Sequence, residues 1–302
     1  MSVATVNVAA PLGGTPVRGG KSRKTNHPDR NDYVDRTDQA FEIFWNNAKC
    51  TLSNGKLCEE FDQCKRSNFS KRCESDMRVL KMLNRSLYNP FNSLDEIKGL
   101  IITLHYLLEN LTPYLRKLPN LNKLEIRGDV FDNTSHASFP AEVGDLSNLE
   151  TLVISGNKWI TSLPAELGKL SKLKTLIIDN NFKIRSLPVE LGNLKNLETL
   201  KIYSNYSLES LPDQLGNLSN LKTLKIHSND SLTSLPAALG KLSNLETLVI
   251  IENETLELLP DQLGNLSNLK TLKILRNYSL ASIPDGLDNL PNLKTKRISL
   301  EE

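Results

Sequence analysis

The sequence predicts an α/β solenoid: a curved parallel sheet on the concave face, short helices or turns on the convex face, and a small helical cap at the N-terminal end. A Leu, Phe or Ile followed by Pro recurs at Phe139-Pro140, Leu163-Pro164, Leu187-Pro188, Leu211-Pro212, Leu235-Pro236, Leu259-Pro260 and Ile283-Pro284, always 24 residues on. A period that strict marks stacked, near-identical units. Between these pairs come LGxL, then LxxLxI, then an Asn, so one unit reads approximately LPxxLGxLxNLxTLxIxxNxxLxS. Finally, Leu194, Leu197, Leu200, Ile202, Leu208 and Leu211 of one unit cannot all be hidden by 24 residues acting alone. Neighbouring units must cover them.

The strand of each unit is expected at Leu152–Ile154, Leu176–Ile178, Leu200–Ile202, Leu224–Ile226, Leu248–Ile250 and Leu272–Ile274. Stacked in parallel, these align the leucines into buried columns, each Leu or Ile contributing roughly 1.5–3 kcal/mol. Asn157, Asn181, Asn205, Asn229, Asn253 and Asn277 follow the strand leucine by five residues, where the chain must turn. Their amides are expected to bond turn backbone and one another up the stack. Gly144, Gly168, Gly192, Gly216, Gly240 and Gly264 are expected to allow a close turn or a positive φ on the convex side. Glu150, Lys174, Glu198, Lys222, Glu246 and Lys270 share one position with alternating sign. Such a ladder specifies register more than strength.

Ahead of the repeats, residues 1–36 are polar and carry no acidic residue before Asp29, which predicts a disordered tail. Residues 37–92 form the expected helical cap. Phe41, Phe44 and Trp45 have helical spacing, and Asp76–Leu87 is a second amphipathic stretch. This segment holds all four cysteines, Cys50, Cys58, Cys64 and Cys73, at intervals of 8, 6 and 9. The spacing matches no common zinc pattern, so reduced thiols are expected, with two disulfides as the alternative in an exported chain. The solenoid then spans 93–302. Ile97, Leu100 and Ile102 lie 24 residues before Leu121, Leu124 and Ile126 and predict a degenerate first unit, while the next carries a four-residue insertion near Asp129–His136. At the far end Lys296 stands where a strand Leu would, the kind of polar substitution a terminal cap requires.

Composition narrows the function. A chain of 302 residues, 39% hydrophobic and 24% charged, is that of a soluble protein. A net charge of +2 argues against a general nucleic-acid role, and no run of about 20 apolar residues exists to span a membrane. The first 20 residues lack the basic start and apolar centre of a secretory signal peptide. No residue pattern calls for a cofactor, a metal or a catalytic group.

Binding is expected on the concave face. In LxTLxIxx the Leu and Ile point inward, leaving three outward columns. Thr fills the first. The second runs Val153, Ile177, Lys201, Lys225, Val249, Lys273, and the third Ser155, Asp179, Tyr203, His227, Ile251, Leu275. Variation against a copied background is informative, because these side chains have no packing duty to explain them. Ile177, Asp179, Lys201, Tyr203, Lys225, His227, Val249, Ile251, Lys273 and Leu275 are therefore the candidate partner-binding residues. Tyr203, His227, Ile251 and Leu275 form an aromatic and aliphatic strip flanked by lysines, which suits a protein with an apolar centre and acidic edges. His227 has no second His or carboxylate pair in the neighbouring columns to make a metal or catalytic site.

Repeats such as SLPDQLGNLSNLKTLKIHSNDSLTSLP at 210–236 resemble the 24-residue LPxxLGNL type of leucine-rich repeat. That type occurs in plant intracellular leucine-rich-repeat proteins and in effectors of plant-pathogenic bacteria, including Xanthomonas type III effectors in which the repeats precede a ubiquitin ligase domain. The resemblance implies a module that binds a host protein after type III secretion into the host cytoplasm; a monomer without catalytic activity is expected. The polar, acid-poor start likewise resembles a type III secretion signal. The alternatives are an intracellular plant-type scaffold or receptor fragment, cytoplasmic in location, and a ligase, either its substrate-recognition part with the catalytic domain absent or one with its chemistry in the Cys-bearing N-terminal region.

Overall fold

The computed structural model describes residues 3–7, 98–104, 118, 120–128 and 139–300. Within them, ten strands form one parallel sheet in strict chain order. They are β1 (Val3–Asn7), β2 (Gly99–Leu104), β3 (Lys123–Gly128), β4 (Thr151–Ser155), β5 (Thr175–Asp179), β6 (Thr199–Tyr203), β7 (Thr223–His227), β8 (Thr247–Ile251), β9 (Thr271–Leu275) and β10 (Thr295–Ser299). From β4 to β10 the register shifts by one repeat per strand, so Leu152, Leu176, Leu200, Leu224, Leu248 and Leu272 are neighbours. The strand of the degenerate first unit is present: Leu100 pairs with Leu124 and Ile102 with Ile126.

Strands β3 to β9 bury alternate residues, Leu and Ile inward, and these join the leucines of the convex side in one continuous core. On that side each unit from Pro140 to Pro284 makes a five-residue 3₁₀ turn directly after its Pro, as at Ala165–Lys169 and Val189–Asn193. The reason lies in the spacing of the leucines. Leu167 donates to the Pro164 carbonyl, Leu170 to Leu167 and Leu173 to Leu170, three consecutive i→i+3 steps. Side chains three apart eclipse in such a helix, so Leu167, Leu170 and Leu173 all face inward. Pro164, with φ −73° and no N–H to lose, starts the series.

The convex glycines do not use the positive φ that was one of the two expectations. A Cβ on Gly192 would lie 2.4 Å from the Gln214 carbonyl oxygen, and one on Gly168 2.4 Å from that of Glu190. They are glycines because adjacent coils touch there, backbone on backbone. Positive φ falls elsewhere, one residue past the strand, at Gly156, Asn180, Ser204, Ser228, Glu252 and Arg276. There the N–H of Ser204 reaches the His227 carbonyl and that of Ser228 the Ile251 carbonyl, tying each coil to the next.

The asparagine ladder forms as expected. Asn181 to Asn277 are wholly buried. Each of Asn181, Asn205, Asn229 and Asn253 donates its amide to the next Asn Oδ1 and to the Ile carbonyl 27 residues back, as Asn229 does to Asn253 and Ile202. The charge ladder resolves into pairs: Lys174–Glu150 at 3.2 Å, Lys222–Glu198 at 2.9 Å and Lys270–Glu246 at 2.7 Å.

The tail expected to be disordered contains β1. Val3–Asn7 lies parallel to β2, with Val3 opposite Gly99 and Asn7 opposite Thr103. Three of its five residues are β-branched, and β2 offers an otherwise open sheet edge. The rest of that tail, the helical cap with its cysteines and the insertion near 129–136 lie outside the described residues. At the other end Lys296, in register with Leu272, is exposed and pairs with Asp288.

Candidate protein-binding face

The alternation that buries Leu and Ile turns the candidate residues outward on consecutive strands. Tyr203 is in register with His227, His227 with Ile251, and Ile251 with Leu275, a strip crossing β6 to β9. Beside it run Lys201, Lys225, Val249 and Lys273. All are half-buried except Val249, which is 9% exposed. Set between Lys225 and Lys273, whose aliphatic stems can cover it, Val249 offers less surface than its neighbours in the row. Ile177 and Asp179 lie on β5, at the strip's other end.

The Tyr203 and His227 rings meet edge to face, 6.1 Å apart at 84°. His227 also contacts Glu252, Nε2 to Oε2 3.2 Å, and Ser228 Oγ lies 3.1 Å from its Nδ1. Glu252 in turn receives Arg276 Nη1 at 2.7 Å. Burial holds the His227 imidazole below its ordinary pKa, against the opposing pull of Glu252. At neutral pH the strip therefore presents an uncharged aromatic pair between lysines. At the β5 end, burial and the Glu125 carboxylate push Asp179 up to about 6, while Glu125 is itself paired with Arg127.

Sequence reasoning missed Glu252 and Arg276. Strict alternation would aim them inward, but their φ values of 54° and 56° swing them out to frame His227. The signal was the column itself: it begins Gly156, Asn180, the two residue types that tolerate left-handed backbone best.

Among the described residues, no group of His, Cys, Asp and Glu could hold a metal ion, and no helix is long and apolar enough to cross a membrane. A shallow groove of about 320 Å³ follows Glu150, Lys174, Glu198 and Lys222, side chains already engaged with one another.

A parallel, one-unit-per-strand sheet backed by 3₁₀ turns and an asparagine ladder defines a leucine-rich-repeat protein. A family profile described as leucine-rich repeat region matches residues 109–230 and 203–302, well over half of the chain, and the chain belongs to that family. Among solved structures, the leucine-rich repeat domain of the type III effector XCV3220 (XopL) aligns over 82% of this chain and 90% of its own, with 19% identity and a TM-score of 0.58, a likeness of fold. The Leptospira interrogans LRR protein LIC12759 aligns over 67% and 60% of the two chains, with 26% identity and a TM-score of 0.38. The ectodomain of the plant receptor kinase GASSHO1/SCHENGEN3 from Arabidopsis thaliana, in complex with CASPARIAN STRIP INTEGRITY FACTOR 2, aligns over 66% and 24%, with 26% identity and a TM-score of 0.45. The chain thus spans less than two thirds of the latter two. No curated protein sequence matches it.

Proposed function

We propose that this chain is a non-catalytic, monomeric recognition module that grips a protein partner on the strip Tyr203, His227, Ile251 and Leu275. The observation that carries this is four consecutive strands presenting a half-buried, uncharged aromatic and aliphatic row with Lys201, Lys225 and Lys273 alongside. A packed apolar centre with a charged surround is the anatomy of a binding hot spot. The partner it fits has an apolar ridge flanked by carboxylates.

The setting we propose is that of a bacterial effector, secreted by a type III system and acting on a host protein. Its support is the LPxxLGNL repeat pattern, the acid-poor start of the chain and the likeness of fold to the XopL repeat domain. Capture of partners from a eukaryotic lysate tests the binding face. The full chain should retain a protein that a folded variant with Tyr203, His227, Ile251 and Leu275 changed to Ser does not. Equal retention by both would remove the strip from consideration. A reporter fused behind residues 1–40 tests the setting: it should reach host cells from a secretion-competent strain and stay behind in a secretion-deficient one.

A further inference from the structure

We propose a second protein-binding surface, on the rim just past the strand ends, fitted to an extended segment that is acidic at one end, aromatic in the middle and basic at the other. It extends the protein-binding reading above to a different face of the solenoid. After each ladder asparagine come two rim positions. In two later units the second of these has a structural task, with Ser231 Oγ donating to the Tyr206 carbonyl at 2.6 Å and Thr255 Oγ1 to that of Asp230 at 2.7 Å. Trp159 and Lys183 occupy the same position in the early units and have no hydroxyl to do this. That hydroxyl bond between coils therefore does not account for them.

They belong instead to a cation and aromatic cluster. Lys183 Nζ sits 4.4 Å from the centre of the Trp159 ring, Lys158 Nζ lies 6.0 Å from that of Phe182, and the Phe182 and Tyr206 rings are 5.5 Å apart at a tilt of 32°. Tyr206 is 38% exposed, so the cluster ends in an open aromatic face. The next two units change sign, placing Asp230 and Glu254 at the position held by Lys158, Phe182 and Tyr206. Lysines interleaved with aromatic rings would by themselves suit single-stranded nucleic acid. The carboxylates in line with them repel a phosphate chain, and that decides for a polypeptide of matching polarity. From the unit of Lys158 to that of Glu254 is four strand spacings of about 4.8 Å, which an extended chain covers in about six residues.

The test is fluorescence anisotropy on the full chain with labelled Glu-Glu-Phe-Phe-Lys-Lys, a peptide of the same composition with its charges mixed, and a single-stranded oligonucleotide. The polar peptide should bind most tightly. Charge reversal by Lys158→Glu with Lys183→Glu should weaken it at least tenfold while the four-serine concave variant binds it unchanged; should the reversed variant fail to fold, Lys158→Gln with Lys183→Gln serves. Equal binding of the two peptides, tighter binding of the oligonucleotide, or no binding at all would overturn the proposal. Loss in the concave variant alone would overturn it too, and would leave the concave strip as the binding face.

Discussion

Asn229 illustrates how much one side chain carries here. Its amide donates to the carbonyls of Ile202 and His227 and to Asn253 Oδ1, while its own Oδ1 accepts from Asn205. Asn229→Ala would strand several buried polar groups at once, each costing about 1–3 kcal/mol. Urea unfolding should register a loss of at least about 3 kcal/mol, and clearly less for Asn157→Ala, which begins the ladder among the described residues. Asp179 gives a pH-dependent case. Its carboxyl titrates at about 6 in the folded chain against an ordinary 3.8. Between those values the native state keeps a proton that the unfolded state has released, so this group's contribution to stability falls as the pH rises from 4 through 6 and stays lowered above. Asp179→Asn should therefore raise the unfolding free energy at pH 7, by between about 1 and 3 kcal/mol, and leave it unchanged at pH 4. The asparagine column and the outward row were legible in the sequence because each recurs at a fixed spacing. The frame around His227 was harder to see, since Glu252 and Arg276 hide a left-handed backbone that only Gly156 and Asn180, earlier in the same column, betray.

At the level of the coil, inward and outward positions on one strand should separate cleanly. Leu224, 1% exposed, faces the core, and Leu224→Ala should cost about 2–5 kcal/mol in chemical unfolding. Tyr203 is half-buried, and its ring meets that of its His227 neighbour edge to face. Tyr203→Ala should leave the melting temperature nearly unchanged while weakening partner capture, and if it instead unfolds the chain the strand faces have been assigned the wrong way round. The convex glycines make the complementary point. Gly192→Ala places a methyl carbon 2.4 Å from a backbone oxygen of the following coil, which must move, so a loss of about 1–3 kcal/mol is expected where a loop glycine would tolerate the change. The sequence marked these glycines as special through their period, but the contact that explains them joins residues 22 apart and is visible only once the coils are stacked. The pairing of β1 with β2 was equally hidden. It joins residues 3–7 to 99–103, a separation with no repeat to announce it.

For the solenoid as a whole, stability should behave as a sum over units and the contacts between neighbours. Whole units can then be removed in register. Excising residues 213–236 joins Pro212 to Ala237, the residue that Pro236 already precedes, and brings Gly192 against Ala238, the contact that Gly216 already makes. The backbone should close without strain. The charge ladder should not, because Lys222 is lost and Glu198 comes to lie beside Glu246, where each now faces a lysine. Excising two units, 213–260, restores alternation by setting Glu198 beside Lys270. In thermal unfolding at low ionic strength, the single-unit deletion should therefore melt lower than its shorter two-unit relative would imply. Added salt, or Glu198→Gln within the deletion, should close the gap, because repulsion between exposed charges is screened over about 10 Å at 0.1 M. A gap indifferent to both would mean that the coil interfaces, and not the ladder, set the cost. Both deletions also cut the strip: the first removes His227, the second His227 and Ile251. Partner capture should fall in each even where the fold survives, which separates what holds the stack together from what the stack presents.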